Sequence, residues 1–325
     1  DRDLLALEIV ADLGFAELTS ATGLSSYEED GQRDQTDLLL NLYYGYELFP
    51  QFAGFTRDVA EEETFTQELR LVSTSDGPLS WIVGAFYSEF ELDSLSQEFT
   101  PGFDEFALAN PDLLEAYWFG DLRPEGVPRP DSLEYYFLLE QDIEEVAVFG
   151  ELGYQLTDAW QVTVGARWFE YEDTAYSFLS FPLFDSIYFG VPGDAIEPLS
   201  ESDFETKDDD VLFKFNTSFD LSDDAMIYAT VSEGYRLGGV NDIGACDGSI
   251  GQVCGLPNEL TYQSDSTINY ELGLRSQWND SLTLNGALFY IDWEDTQLDA
   301  PSLNGGQPIT KNAGSASSMG IELGA

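Results

Sequence analysis

The 325-residue sequence has no histidine, and it has only 12 lysine and arginine residues against 62 aspartate and glutamate residues. Without histidine, the chain cannot form histidine-containing metal sites, Ser-His-Asp triads or Cys-His pairs. The formal net charge of −50 argues against nucleic-acid binding, because that binding depends on basic side chains that contact phosphates. Such an acidic chain also suits a halophilic or marine setting, where salt screens the self-repulsion of the chain.

Long apolar runs are also missing, since none approaches 18 residues. This excludes transmembrane helices, but it does not exclude membrane-spanning strands, whose hydropathy signal is weaker. The first residues contain no charged segment followed by an apolar one, so we expect any signal peptide to have been removed or to lie outside the chain. An aromatic content of 14% argues against disorder.

What the sequence has instead is a period-two alternation of apolar and polar residues, which is typical of strands with one apolar face. In the stretch 160–168, for example, Trp160, Val162 and Val164 alternate with glutamine, threonine and glycine. The alternation predicts an all-β chain of about 11 strands. The expected strands are approximately 4–13, 15–27, 64–74, 79–95, 143–157, 160–178, 209–222, 225–238, 266–278, 281–298 and 309–325.

Tight and long connections alternate between these strands. The tight ones are short Asp, Asn and Gly segments, and the long ones span approximately 40–62, 96–142, 179–208 and 240–264. This arrangement predicts an antiparallel up-and-down meander whose tight turns all lie at one end, as in an outer-membrane barrel. A short helix is expected near residues 111–119, since Asn110 and Pro111 suit a helix start.

The apolar faces predict where the strands point. Trp160 and Trp168 lie eight residues apart on one face, about 26 Å along a strand, which resembles the aromatic girdles of membrane barrels. We expect six apolar residues to point outward, away from the concave side; these are Val162, Val164, Phe213, Phe215, Leu272 and Leu274. The alternative is that they form the core of a soluble sandwich.

The strand count also makes a prediction about closure. Eleven is odd and the last strand runs to Ala325, whereas bacterial single-chain barrels are closed and have even strand numbers. We therefore expect an open, curved half-barrel with two free edges, near residues 4–13 and 309–325.

Several stretches carry a resemblance to a known family. They are, in chain order, TFTQELRL at 64–71, LSWIVGAFY at 79–87, VFGEL at 148–152, VGARW at 164–168, MIYATVSEGYRLGGVN at 226–241, YELGLRS at 270–276 and NAGSASSMGIE at 312–322. As an ordered set they resemble the barrel of TonB-dependent outer-membrane receptors.

The resemblance implies that residues 1–325 are part of a 22-stranded transmembrane barrel in the outer membrane of a Gram-negative bacterium. The family's N-terminal plug, its TonB-binding box and the C-terminal strands are not visible in the sequence. The intact protein would import a scarce, bulky nutrient such as a siderophore, a cobalamin-like molecule or an oligosaccharide, energised by the TonB complex. Its expected partners are therefore outer-membrane lipid, TonB and a small-molecule nutrient.

Two other interpretations stay open at this point. One is a passive porin-like or adhesin-type barrel without energy coupling, and the other is a soluble acidic all-β protein of a halophile. Enzyme activity is not expected, because no nucleophile elbow, P-loop or dinucleotide-binding fingerprint is present. We therefore assign no catalytic, cofactor-binding or metal-ligating residues, and the ligand-binding residues cannot be identified from the sequence.

Two groups of residues are candidates for structural roles at a site. Cys246 and Cys254, the only cysteines, predict a disulfide in an exported loop. The alternate face of the strands carries the candidate lumen-facing charges Arg70, Arg167, Lys214, Glu271 and Arg275. Their basic members are expected to pair across neighbouring strands, with the carboxylates of Glu68, Glu151, Asp220 or Glu271 as partners.

The acidic residues are expected to concentrate in the long loops, where runs occur at 61–63 and 208–210. They could bind calcium or attract cationic ligands. The simpler interpretation is a solvated surface, because no spaced calcium-binding motif is present.

Overall fold

A computed structural model describes residues 1–36, 52–75, 77–112, 123–241, 243–246, 254–278 and 282–325. Eleven strands form the main sheet: β1 (Arg2–Asp12), β2 (Ala16–Asp34), β3 (Phe55–Ser73), β4 (Leu79–Phe99), β5 (Leu133–Thr157), β6 (Trp160–Ser180), β7 (Ser200–Ser222), β8 (Ala225–Arg236), β11 (Asp265–Trp278), β12 (Leu282–Glu294) and β15 (Ser315–Gly324). Four short strands form two hairpin-like pairs in the long connections: β9 (Gly239–Val240) with β10 (Thr261–Tyr262), and β13 (Gln297–Pro301) with β14 (Pro308–Asn312).

The main sheet is an open antiparallel meander. Each strand pairs with the next one of the sheet, in the order β1-β2-β3-β4-β5-β6-β7-β8-β11-β12-β15. No ladder joins β1 to β15, both of which are described in full, so the sheet has two free edges. The predicted fold class and the predicted open state are therefore confirmed. A single isolated parallel bridge, between Ala245 and Gly255, lies in a connection and not in the sheet.

The structure describes two short helices in full, both in the long connections: α1 (Phe103–Ala109) and α2 (Pro182–Phe189). The expected helix near 111–119 falls largely outside the described residues, and neither α1 nor α2 was predicted. α2 nevertheless has local signals, because Pro182 occupies its first turn and Gly190 ends it with φ 70°. Within the described residues, no helix has both the length and the apolar character needed to cross a membrane.

β2 to β7 extend further into the long connections than the sequence indicated, whereas β8, β12 and β15 are shorter than expected, and β13 and β14 are separate strands. β5 has 25 residues, about 80 Å of extended chain, whereas a membrane-spanning strand needs only about 9–11 residues. The acidic runs 61–63 and 208–210 therefore lie in β3 and β7, and the expectation that they lie in loops was wrong. Alternation of apolar residues ends where the acidic residues begin, but the antiparallel ladder continues beyond that point.

The two faces of the sheet differ as predicted. Of the six residues expected to point outward, Val162 is half-buried and the other five are 41–59% exposed. A second sheet would bury them, so the apolar face is not the core of a sandwich. We call the face with these apolar residues the outer face and the opposite one the inner face.

Among the described residues, only small clusters of side chains are fully buried, as expected for a wall one sheet thick. One cluster joins α1 to α2 and consists of Phe103, Ala107, Leu183, Ile187 and Tyr188. A second cluster lies on the inner face and consists of Ala147, Phe169 and Tyr171.

Candidate functional site

The inner face of the wall carries all five candidate charges. The register of each ladder places Arg70, Arg167, Lys214, Glu271 and Arg275 on the face opposite the exposed apolar residues. The structure does not gather them into one cluster but distributes them over β3, β6, β7 and β11. The candidate site is therefore an extended polar surface.

Lys214 reaches across a neighbouring strand to a carboxylate. Its Nζ lies 2.8 Å from Oε1 of Glu151, and Gly165 of β6 lies between them in the register. A Cβ at Gly165 would lie 3.0 Å from Cγ of Glu151. The glycine thus leaves the space that the ion pair occupies.

Arg167 belongs to a network with an aromatic neighbour. Its Nη2 lies 2.6 Å from Oε1 of Glu145, and its guanidinium lies 5.4 Å from the ring centroid of Phe86. The hydroxyl of Tyr235 donates to the same Oε1 at 3.0 Å. Glu145 was not among the expected partners, and this carboxylate joins β5, β6 and β8.

Arg70 and Arg275 have different neighbours: Arg70 has a carboxylate and Arg275 has an aromatic ring. Nη1 of Arg70 lies 3.2 Å from Oε1 of Glu68 on its own strand. The guanidinium of Arg275 lies 5.1 Å from the ring centroid of Tyr228. The Tyr228 hydroxyl donates to Oε1 of Glu271 at 2.5 Å, so Glu271 is bonded to the tyrosine and does not pair with Arg275.

Arg275 is unusual in so acidic a chain. All 12 basic residues lie in the described part of the chain, and among them only Arg2 and Arg275 have no carboxylate oxygen of a described residue within 4 Å. Arg275 lines an open pocket of about 650 Å³ near the tight turns, together with Asp220, Asp224 and Asn285. Neither Asp220 nor Glu271 forms the expected ion pair with it.

The connections after β4 and β6 are joined through α1, α2 and a buried arginine. Arg129 is fully buried; its Nη1 donates to the carbonyl of Ala195 at 2.6 Å, and its Nε lies 2.8 Å from Oδ1 of Asp131. Its backbone N–H donates to Asp104 of α1. Burial raises the pKa of Tyr188 in α2 to about 12. Sequence reasoning missed this module, whose only local signal is that prolines flank Arg129.

The connections after β8 and β12 are joined by a buried ion pair. Nζ of Lys311 lies 2.6 Å from Oε1 of the fully buried Glu259. Leu256 and Leu303 donate their backbone N–H groups to the same carboxylate. The hydrogen bond from Lys311 is the main reason why the pKa of Glu259 is below its ordinary value. No sequence pattern indicates this contact, because the two residues are 52 positions apart.

The two cysteines lie in the connection after β8, between β9 and β10. Cys246 and Cys254 are joined by a disulfide bond, with their Cα atoms 4.9 Å apart. Asn304, from the connection between β13 and β14, contacts the Cys246 sulfur at 3.3 Å. Among the described residues, no group of three or more Cys, Asp or Glu side chains is placed to hold a metal ion.

Comparison with known proteins identifies a family, a curated relative and solved structures with the same fold. A family model described as "TonB dependent receptor-like, beta-barrel" matches residues 11–325. The pesticin receptor of Yersinia enterocolitica (serotype O:8) is 29% identical over 180 residues, which are 55% of this chain and 23% of that receptor. The chain thus spans less than a quarter of the length of this curated relative.

Solved structures with the same fold have low sequence identity. The ferric yersiniabactin uptake receptor FyuA from Yersinia pestis superposes with a TM-score of 0.69 at 18% identity, over 99% of this chain and 39% of that one. The siderophore receptor PiuA from Acinetobacter baumannii superposes with a TM-score of 0.62 at 15% identity, over 99% of this chain and 43% of that one. At these identities the similarity shows the fold alone.

Proposed function

This chain belongs to the TonB-dependent receptor-like β-barrel family, and on that basis we propose that it forms part of the wall of an outer-membrane receptor that imports a scarce, bulky nutrient. The observation that carries the proposal is the family match over residues 11–325. The intact protein is then a transport receptor of a Gram-negative bacterium and not an enzyme.

The outer face supports a position in lipid. Its apolar residues are exposed, and Trp160 and Trp168 bracket a band about 26 Å long on β6, close to the hydrocarbon thickness of a bilayer. Aromatic residues at both ends of such a band suit the two membrane interfaces. Outer-membrane lipid is therefore the first partner that we propose.

The inner face supports an aqueous lumen. It carries the ion pairs of Arg70, Arg167 and Lys214, with exposed or half-buried side chains. Charged groups of this kind retain most of their hydration, so the wall needs no apolar filling. A polar guest or polypeptide in the lumen fits this surface.

For the nutrient we propose a metal–siderophore complex as the first class to test. The support is that FyuA takes up ferric yersiniabactin and that PiuA is a siderophore receptor. A cobalamin-like molecule or an oligosaccharide is the next class to test. We expect the ligand contacts to lie in the loops and the plug, since loops vary freely on a shared barrel.

For the domain organisation, we propose that residues 1–325 are a partial barrel and that the intact protein adds further strands, a plug and a TonB-binding box. The share of the relatives' length that the chain spans supports this. So do the free edges of β1 and β15, since an unpaired edge in lipid is costly. TonB would act through the plug and box.

The test is uptake by whole cells. The intact gene is expressed in a Gram-negative strain that lacks its own siderophore receptors, and uptake of a panel of radiolabelled ferric siderophores is measured with and without a functional TonB protein. We expect saturable uptake of at least one complex that disappears when TonB is absent. Uptake that persists without TonB would instead support a passive porin-like barrel.

Solubility and cell adhesion test the two remaining alternatives, a soluble acidic β-protein and an adhesin-type barrel. The receptor should sediment with the outer membrane and require detergent for extraction. Recovery from the aqueous fraction as a monomer would support a soluble acidic β-protein. Binding of cells to surfaces without any uptake would support an adhesin-type barrel.

We also propose that the bond between Cys246 and Cys254 forms in the exported protein, because exported loops meet an oxidising compartment. Thiol alkylation of the unfolded receptor should then modify neither cysteine until a reductant is added. Alkylation of both without reductant would contradict the bond.

A further inference from the structure

β7 has a long edge that no strand of the described chain covers. β7 pairs with β6 from Ser200 to Phe219, but its pairing with β8 extends only from Ser222 to Lys214. Both strands are described throughout, so the edge of β7 from Ser200 to Phe213 has no ladder partner within the described chain. We call this edge the β7 seam. An unpaired strand edge presents a row of N–H and C=O groups that can accept another strand.

The seam arises because β8 bends onto the inner face. Beyond Ser232, the ring of Tyr235 stacks on Phe169 at 3.8 Å between centroids, and its hydroxyl bonds Glu145. Further along, the N–H of Gly238 donates to the Tyr171 hydroxyl at 2.8 Å. Phe169 and Tyr171 are both almost fully buried. The departure of β8 is therefore held by packed side chains and is not a frayed end.

In the lower part of the seam, residues 209–213 next to the β8 ladder, carboxylates accept hydrogen bonds from the edge N–H groups. The backbone N–H of Phe213 donates to Glu233 at 2.8 Å, that of Val211 to Asp210 at 2.7 Å, and that of Asp209 to Asp208 at 3.0 Å. Alternate residues of an antiparallel strand present their N–H groups on the same edge. These three consecutive edge donors therefore already have acceptors, and the acidic run 208–210 has a structural role.

The upper part of the seam has a vacant edge, because no strand of the described chain pairs with it, although Gly244 packs beside the side chains of Ser200 and Ser202. By the same alternation, its edge donors are the N–H groups of residues 201, 203, 205 and 207, and none has an acceptor within the described chain. On the outer face, Glu201, Asp203 and Glu205 are exposed beside them. A strand with basic residues at every second position would meet both the open donors and these carboxylates.

We propose that the vacant part of the β7 seam, residues 200–207, binds an extended basic peptide segment by adding it to the sheet as a further strand. The backbone of the segment supplies carbonyl acceptors for the edge N–H groups, and its lysine or arginine side chains lie beside Glu201, Asp203 and Glu205. The carboxylate-capped donors at 209–213 set the lower limit of the added strand. Main-chain hydrogen bonds supply affinity and alternate side chains supply selectivity in this mode of recognition.

The test separates strand addition from simple attraction of a polycation. The probe is a labelled peptide of about ten residues that alternates lysine and threonine, and the control peptide alternates lysine and proline, which has no N–H and cannot form a regular ladder. Binding to the intact receptor in detergent is measured by fluorescence anisotropy. We expect the Lys/Thr peptide to bind the wild-type receptor at least about tenfold more tightly than the Lys/Pro peptide.

A matched pair of double variants isolates the edge donors. Asp203→Pro/Glu205→Pro removes two edge N–H groups and two charges, whereas Asp203→Asn/Glu205→Gln removes only the charges. Because these N–H groups do not bond β6, proline is compatible with the strand. We expect the proline pair to bind about tenfold more weakly than the amide pair.

Backbone exchange gives a second readout that does not depend on the variants. In the wild-type receptor, the peptide should slow amide exchange at residues 201–207. Equal affinity of the two double variants, equal affinity of the two peptides, absence of binding or unchanged exchange would each overturn the proposal.

Discussion

At the scale of single residues, glycine decides how the large side chains of the inner face are arranged. Gly273 lies opposite Tyr228 in the register of β8 and β11, and the Tyr228 ring lies directly over it, where a Cβ would collide with the ring. The same ring contacts Arg275 and its hydroxyl bonds Glu271. The absence of a side chain at Gly273 therefore leaves the space in which Tyr228, Arg275 and Glu271 meet on the inner face.

We predict that Gly273→Ala destabilises the receptor by about 1–3 kcal/mol, because the added methyl group would collide with Cζ of Tyr228 and would displace the ring from its contacts with Arg275 and Glu271. Gly286→Ala is the matched control, since its Cβ would meet the tip of Leu323 at 3.3 Å and the carbonyl oxygen of Glu322 at an ordinary contact distance of 3.9 Å. Denaturant unfolding of the intact receptor in lipid vesicles measures both. Equal midpoints for the two variants would contradict the role of Gly273.

A second prediction concerns pH and the buried pair of Glu259 and Lys311. Because the pKa of Glu259 is lower in the folded state than its ordinary value of 4.5, its contribution to stability is complete above that value. It is lost as the pH falls through the lowered pKa. Amide exchange at Leu256 and Leu303, corrected for intrinsic rates, should show constant protection above about pH 5 and loss in more acidic solution.

Variants of this pair give the controls. Lys311→Met removes the main cause of the lowered pKa, so protection should be lost at a higher pH than in the wild type. Glu259→Gln should make the residual protection independent of pH in this range. A Lys311→Met profile that coincides with the wild-type profile would show that the lysine does not control the titration.

The charged residues of the inner face show which features the alternation of the sequence can predict. Alternation alone placed Lys214 and Arg275 on the inner face, because side chains alternate strictly along a strand. It did not identify Glu145 as the partner of Arg167, nor the tyrosine beneath Arg275. Partner choice depends on cross-strand register and on the gaps left by glycines, and neither is visible in one strand.

At the scale of elements, the strand ends next to the long connections place like charges directly opposite one another on the outer face. Glu61 faces Glu28 on one side and Asp93 on the other, and Asp93 faces Glu140. A second row joins Glu63, Glu91 and Asp142, and a third joins Glu89, Glu144 and Glu172. Opposed like charges destabilise a sheet, so these strand extensions are held by their backbone ladders and by the packed connections above them.

We therefore predict that added NaCl stabilises the receptor, since raising the salt from 0.1 M to 1 M shortens the Debye length from about 10 Å to about 3 Å. Thermal unfolding measured across this range should show a rising midpoint. Glu61→Gln/Asp93→Asn should unfold at a higher temperature in low salt and respond less to salt, with about 0.2–1 kcal/mol gained per relieved pair.

Two loop carboxylates provide the comparison for this effect. Asp194 and Glu197 lie in the exposed connection between α2 and β7, where no strand opposes them. Asp194→Asn/Glu197→Gln removes the same charge but should leave the salt dependence close to that of the wild type. If both double variants flatten the salt response equally, net charge and not cross-strand repulsion is responsible.

The same acidic rows explain why the ends of the strands were misjudged from the sequence. Apolar alternation marks only the lipid-facing length, about ten residues of a strand such as β5 with 25. Beyond it, acidic residues interrupt the apolar alternation, as in residues 140–145 of β5, and such a stretch resembles a solvated loop. Acidic runs such as 208–210 are typical of loops, and only the cross-strand register shows that they continue a ladder.

At the scale of the whole molecule, the strand number, the antiparallel order and the open edges could all be predicted from the sequence. Eleven apolar alternations separated by short and long connections allow little else, because sequential strands with tight turns pair as neighbours. The modules in the long connections could not be predicted in this way. The contacts of Arg129 and of Glu259 with Lys311 join segments far apart in sequence, and they depend on how the wall brings neighbouring connections together.

The open edges give a final prediction about residues 1–325 on their own. The outer edges of β1 and β15 each present a row of unpaired N–H and C=O groups, and such groups cost several kcal/mol each in hydrocarbon. Closure into a smaller barrel would require β1 to pair with β15, and only alternation would fix their register. We therefore expect the isolated chain, mixed with lipid vesicles, to associate through its edges, whereas the intact receptor inserts as a monomer. Chemical cross-linking followed by sizing in detergent distinguishes the two. A monomeric, vesicle-inserted chain whose outer-edge amides in both β1 and β15 resist exchange would show that the half-barrel closes on itself.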